Sequence, residues 1–254
     1  PGSPAGGEML GNVLIVGGTA SIADAIVGAF GAVARTLLVT YRSNVPVNLP
    51  ATASMVECDI RSTAGRTELV KRVADAGAGL DAVVILSGSI LGKSLEQTSD
   101  EDMAELAAVN MMGPIGLLRD LLPMLNPGAR VLLMSSIAGE RGSFDPMYAA
   151  TKGALIPFAK SLATWLGKKF TVTIVAPGAI EGSRMVKEMS PERVAHHRAA
   201  SPTGELLDPH DLARILVDLA HPHWRHANGA VVRVNAAPQA AAFRRVTTIT
   251  DNIP

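Results

Sequence analysis

Arg130-Val-Leu-Leu-Met-Ser-Ser-Ile-Ala-Gly-Glu-Arg-Gly-Ser-Phe-Asp-Pro-Met-Tyr-Ala-Ala-Thr-Lys152 is the stretch that decides how this chain folds. Val131 to Met134 is an apolar run with no polar alternation, as in a strand buried on both faces of a parallel sheet, and it stops at Ser135-Ser136. In sheets of that kind the functional crevice opens at the carboxyl ends of the strands. After a loop rich in Gly and Ser, Asp145-Pro146 predicts a helix start. That helix carries Tyr148 and Lys152 four residues apart on one face.

A phenol that titrates near 10 is a poor acid or base at neutral pH, and lowering it by about three units takes roughly 4 kcal/mol of preferential stabilisation of the phenolate. A lysine charge and a helix N-terminus both act in that direction. Ser136, at the strand end, is placed to hydrogen-bond a substrate oxygen while Tyr148 exchanges a proton with it. Such a trio suits interconversion of alcohol and ketone. Tyr-x-x-x-Lys alone is a weak motif, and its bland alternative is an exposed helical pair.

The context is more specific. A Ser135-Ser-Ile-Ala-Gly139 strand end lies just before the tyrosine, Ala149-Ala-Thr-Lys-Gly-Ala154 follows it, and Val175-Ala-Pro-Gly178 comes later. Together these resemble the short-chain dehydrogenase/reductase family, from about Asn12 to Ala237. The resemblance implies a doubly wound, Rossmann-type, mainly parallel sheet of about seven strands flanked by helices, in one α/β domain over residues 9–240. It implies Tyr148 as general acid or base and Lys152 as the group that lowers its pKa and holds the nicotinamide ribose. Ser136 would orient the substrate oxygen, and Asn110, in Ala107-Ala-Val-Asn-Met-Met-Gly113, would support a water-linked proton path. A solvated mid-helix polar residue is the alternative for Asn110.

The cofactor turn is divergent. The apolar strand Asn12 to Val16 runs into Gly17-Gly-Thr19-Ala-Ser21-Ile22-Ala23 and a helical pattern at Ile22, Ile26, Val27 and Phe30. Strand, turn and helix form the dinucleotide-binding arrangement, in which backbone N–H groups at the helix start receive the pyrophosphate. The family turn is Gly-x-x-x-Gly-x-Gly, and here only Gly17 is glycine, with Ser21 and Ala23 in the other places. A strand-turn-helix without a ligand is the alternative. After the second strand, Thr36 to Tyr41, no acid stands ready for the 2'-hydroxyl of NAD. Arg42 and Ser43 offer a guanidinium and a hydroxyl for the 2'-phosphate of NADP, so NADP(H) is expected over NAD(H); a surface arginine is the alternative. Asp59, ending the strand Ser54 to Cys58, matches the family aspartate near the adenine, with a helix N-cap as the other reading. Where the family reads Asn-Asn-Ala-Gly, this chain has Ile85-Leu-Ser-Gly88, so only Gly88 matches. Pro177 and Gly178 resemble the family turn beside the nicotinamide.

Further on, Ser99 with Asp102 predicts a capped helix, Asp208 caps a helix from Pro209, and Ala230 to Val234 is the last strand. Leu155, Phe158, Leu162 and Trp165 give one broad apolar face despite Pro157. Residues 182–207 lack a strong period and fall where the family has a mobile substrate lid, with Met185, Val186 and Met189 placed to touch a partly apolar substrate; filling of a core is the alternative for methionines at this spacing. Residues 1–8 are expected to be disordered and 241–254 to form a C-terminal tail.

Composition narrows the class. Lys plus Arg and Asp plus Glu are equal at 23 each, with 48% hydrophobic content, so nothing suggests nucleic acid or a membrane surface and small-molecule partners fit best. The lone Cys58 excludes an internal disulfide, and no apolar stretch approaches a membrane span, so the cytoplasm is the expected compartment. His221-Pro-His-Trp-Arg-His226 is a proline-broken turn and a poor ligand scaffold; no metal is expected. A homo-oligomer, dimer or tetramer, is implied by the resemblance. A dinucleotide-binding sensor or scaffold without catalysis is the rival reading. An enoyl reductase would place its lysine further from the tyrosine, and seven residues beyond Tyr148 stands Leu155.

Overall fold

The computed structural model describes residues 9–17, 22–43 and 49–235. The N-terminal segment, Thr19 and Ser21 of the cofactor turn, and the C-terminal tail lie outside them.

Seven strands form one parallel sheet: β1 (Leu10–Val16), β2 (Ala34–Tyr41), β3 (Ala53–Glu57), β4 (Leu80–Ile85), β5 (Leu125–Met134), β6 (Phe170–Pro177) and β7 (Val231–Val234). Their order is β3-β2-β1-β4-β5-β6-β7, the doubly wound arrangement whose switch point lies between β1 and β4. Valine and isoleucine runs make these strands because β-branched side chains pack well on a pleated surface covered from both sides. Every residue of β6 is buried, and the stretch from Ala129 to Met134 of β5 is buried throughout.

The helices are α1 (Ala23–Gly31), α2 (Thr63–Asp75), α3 (Asp100–Ala107), α4 (Gly113–Leu121), α5 (Ala138–Arg141), α6 (Pro146–Leu166), α7 (Arg184–Lys187), α8 (Pro191–Ala200) and α9 (Pro209–Leu219). On one sheet face Ile26 and Phe30 of α1 pack with Leu212 and Leu216 of α9. The other face is covered by Leu69 and Val73 of α2, Leu117 and Leu121 of α4, and Ala159 of α6. Each such leucine or isoleucine, fully withdrawn from water, contributes about 1.5–3 kcal/mol. No helix of the described residues is long and apolar enough to cross a membrane.

The starts of these helices follow their sequence signals. Ser99 and Asp102 form a reciprocal capping box on α3, Asp145 caps α6 ahead of Pro146, and Asp208 caps α9 ahead of Pro209. One alternative reading falls and one expectation fails. The N-cap of α2 is Ser62, whose Oγ accepts from Gly65 N at 2.9 Å, so Asp59 is not a cap. Trp165 is 83% exposed and stands apart from the apolar face of α6 that buries Leu155. Pro157 lies inside α6 without ending it.

Candidate active site

The carboxyl end of β5 and the start of α6 build the site together. Asp145, fully buried, accepts Tyr148 N at 2.9 Å through Oδ1, while its Oδ2 accepts Leu91 N and Gly92 N at 2.9 Å each. One carboxylate therefore fixes both the first turn of α6 and the loop that follows β4. Ser135 Oγ donates to Lys152 O at 2.8 Å and ties β5 to the second turn of the same helix.

Ser136, Tyr148 and Lys152 then line one cavity of about 440 Å³, with Ile22, Gly88, Pro177 and Gly178. Tyr148 is 7% exposed and Lys152 is 3% exposed. Ser136 Oγ accepts Ala138 N at 3.1 Å, which leaves its own O–H to donate. Burial pushes the Tyr148 phenol up, the Ser136 hydroxyl draws it part of the way down, and the charge of Asp145 raises it again. The depression by Lys152 that the four-residue spacing suggests is not what this geometry gives. Lys152 Nζ donates instead to Ser87 O at 3.0 Å and Met134 O at 2.9 Å. Burial pulls the ammonium down to about 8, so it is still largely charged at neutral pH, with a third N–H to spare.

Asn110 is completely buried, which removes the solvated reading, and it sits in a π-helical turn, Ala108–Met112, between α3 and α4. Its Oδ1 accepts Ser89 N at 2.7 Å, and its two amide hydrogens go to Ser89 O at 2.9 Å and Thr151 Oγ1 at 3.0 Å. The side chain braces the loop after β4 against α6.

The residues at the switch point fit a dinucleotide. Gly17 has φ +86°, and a Cβ there would stand 3.1 Å from Ser87 N, so only glycine suits this turn between the ends of β1 and β4. A Cβ on Gly88 would lie 2.7 Å from Lys152 Nζ. Ser87 Oγ, beside Gly88 at the end of β4, is buried and without a hydrogen-bond partner among the described residues. Arg42 and Ser43 are exposed just past β2. Asp59 accepts from Arg61 N at 3.0 Å and is ion-paired with the Arg61 guanidinium, which holds its carboxyl below the usual range, with Arg42 adding to the effect.

Met185 and Met189 face the cavity as expected, whereas Val186 is buried away from it. Sequence reading missed Arg141, Phe144, Arg193 and His197, which also line the cavity. It noted Asp145 only as a helix start. In the Tyr-plus-seven position Leu155 is 2% exposed in the core.

A family profile described as enoyl-(acyl carrier protein) reductase matches residues 17–236. The NADP-dependent (R)-specific alcohol dehydrogenase of Lentilactobacillus kefiri is 32% identical over 241 residues, 88% of this chain and 94% of that protein. The chain belongs to the short-chain dehydrogenase/reductase family. It is an NAD(P)-dependent oxidoreductase of that family. The 3-oxoacyl-(acyl-carrier-protein) reductase of Vibrio cholerae is 29% identical over 171 residues, 66% of this chain and 70% of its own. Among solved structures, a short-chain dehydrogenase/reductase from Brucella melitensis superimposes with a TM-score of 0.83 at 24% identity, over 90% of this chain and 96% of its own, a likeness of fold.

Proposed function

We propose that this protein interconverts a carbonyl and an alcohol on a small, partly apolar substrate with NADP(H), and that Tyr148 is its general acid and base. The observation that carries this reading is the convergence of Ser136, Tyr148 and Lys152 in one cavity at the carboxyl end of β5. When bound, the nicotinamide supplies or accepts the hydride. In reduction, Ser136 Oγ donates a hydrogen bond to the carbonyl oxygen and Tyr148 Oη hands its proton to that oxygen as negative charge develops. The raised phenol keeps that proton in place at neutral pH. Lys152, with its spare N–H, holds the ribose, while the Ser136 hydroxyl, which already draws the phenol down, supports the phenolate left behind. Asn110 keeps the loop after β4 and helix α6 in register and supports the path by which the proton is replaced.

Arg42 and Ser43 favour the 2'-phosphate of NADP, in keeping with the NADP dependence of the Lentilactobacillus relative. The buried Leu155, where an enoyl reductase would carry its lysine, argues for carbonyl rather than enoyl reduction. The span 182–207 acts as the lid, and the exposed Trp165 on α6 suits assembly into a dimer or tetramer. The cytoplasm suits a chain with a single buried thiol.

The test is NADPH oxidation with a panel of ketones. Tyr148→Phe should lower turnover at least a hundredfold while NADPH binding stays within a few fold. Retention of more than about a tenth of turnover refutes the acid role. Tight NADPH binding without turnover on any carbonyl would favour the sensor or scaffold reading.

A further inference from the structure

The cavity holding Ser136 and Tyr148 carries unused positive charge. Arg141 ends α5 and Arg193 lies in the first turn of α8, with His197 one turn further along the same face. Arg141, Arg193 and His197 are half-buried. Of the other charges around this space, Lys152 is held by the backbone carbonyls of Ser87 and Met134, and the remaining guanidinium and carboxylates are paired. Arg184 meets Glu188 at 2.7 Å, and Glu140, next to Arg141, is turned to Arg233 at 2.7 and 2.8 Å. Among the described residues no carboxylate lies within 4.0 Å of the guanidinium of Arg141 or Arg193.

Two half-buried cations converging on one space without a counter-charge repel and lose hydration, so an arrangement of this kind costs stability unless an anion joins them. Both already act on His197, whose imidazole is held below its usual value by burial first and then by His196, Arg141 and Arg193. The Arg193 guanidinium lies 3.9 Å over the ring of Phe144. Stacking of that sort occupies the face of the guanidinium and leaves its in-plane N–H fork open to a pair of oxygens.

We propose that the substrate carries an anionic oxygen group, a carboxylate or phosphate ester, remote from the reacting carbonyl, and that Arg141 and Arg193 hold it between them. The inference rests on the carbonyl-reduction reading for the reacting end and on the two arginines for the other. A cavity of about 440 Å³ restricts the molecule to a small one. Because Arg141 comes from the body of the protein and Arg193 from α8, the anion turns their mutual repulsion into a bridge and draws α8 down over the site.

The experiment compares matched pairs: 4-oxopentanoate and its longer homologues beside their methyl esters, and dihydroxyacetone phosphate beside dihydroxyacetone. Affinity is measured by calorimetry on the NADP+-loaded protein and on the protein alone, and KM is measured with NADPH. The charged member of at least one pair should bind at least tenfold tighter, and the carboxylate and phosphate arms tell which group is meant. That ratio should fall toward one in Arg141→Gln and in Arg193→Gln, with Arg193→Lys keeping part of it, and the loss should fall on KM. Equal affinity for charged and neutral members, or an unchanged ratio in both glutamine variants, overturns the proposal. Preferential anion binding without turnover of any pair would sink carbonyl reduction and leave the anion site standing.

Discussion

Replacing Asp145 with alanine removes three acceptor contacts at once, each at 2.9 Å, from a carboxylate with no solvent exposure. Loss of an N-cap costs about 0.5–2 kcal/mol. The Leu91 amide, half-buried, loses a charge-assisted partner worth about 1.5–3 kcal/mol, while the exposed Gly92 amide turns to water at little cost. The sum is about 2–5 kcal/mol, which for a chain of this size lowers Tm by very roughly 5–15 °C. Asparagine separates the parts, because its oxygen still caps Tyr148 N but its amide then faces two donors, so Asp145→Asn should fall between wild type and alanine. It also removes the negative charge that raises the Tyr148 phenol. A phenol acting as acid loses activity as pH rises through its pKa, so that limb of the kcat profile should move to lower pH in the asparagine variant. Thermal unfolding and a pH profile of kcat measure both effects. A change under about 0.5 kcal/mol in Asp145→Ala, or a limb that moves to higher pH in Asp145→Asn, refutes the reasoning.

Arg42→Ala should reduce the ratio of NADPH to NADH affinity at least tenfold, read by fluorescence titration; a wild-type preference for NADH would sink the 2'-phosphate assignment. Lys152→Met should abolish turnover yet be at least as stable as wild type at pH 7. The folded-state pKa is about 8 against an ordinary 10.5, so in wild type the unfolded chain holds the extra proton between those values and stability rises with pH across that window. The lead of Lys152→Met should therefore shrink from pH 8 to 10.5, and a lead that grows would show that the ammonium is stabilised rather than strained by its burial.

The frame of this fold is local information, and the sequence carries it openly. Val131 to Met134 could only be a strand sealed on both faces, and Asp145-Pro146 could only open a helix economically. Two residues competing for one role are harder: Asp59 and Ser62 both suit a cap, and the serine takes it because its Oγ reaches Gly65 N while the aspartate is engaged by Arg61. Helical spacing correctly placed Tyr148 and Lys152 on one face but says nothing of depth, and depth is what pushes the phenol up. Arg141 and Arg193 were illegible for another reason. They lie on opposite sides of α6 and β6 in the chain, and only the tertiary fold brings them to one cavity.

Helix α8 buries none of its residues, while the ends of the excursion that contains it are fastened by Leu207 N to Ala179 O and Glu181 N to Leu207 O, both at 2.9 Å. A segment with a fixed base and little apolar contact opens at a free energy far below that of global unfolding. Amide hydrogens of residues 191–200 should accordingly exchange orders of magnitude faster than those of β5 and β6, whose exchange waits for the whole sheet. With residues 182–207 as the proposed lid, access to Tyr148 would be governed by a local equilibrium of its own, and substitutions that stiffen the sheet would raise the melting temperature without slowing the rate at which the site fills.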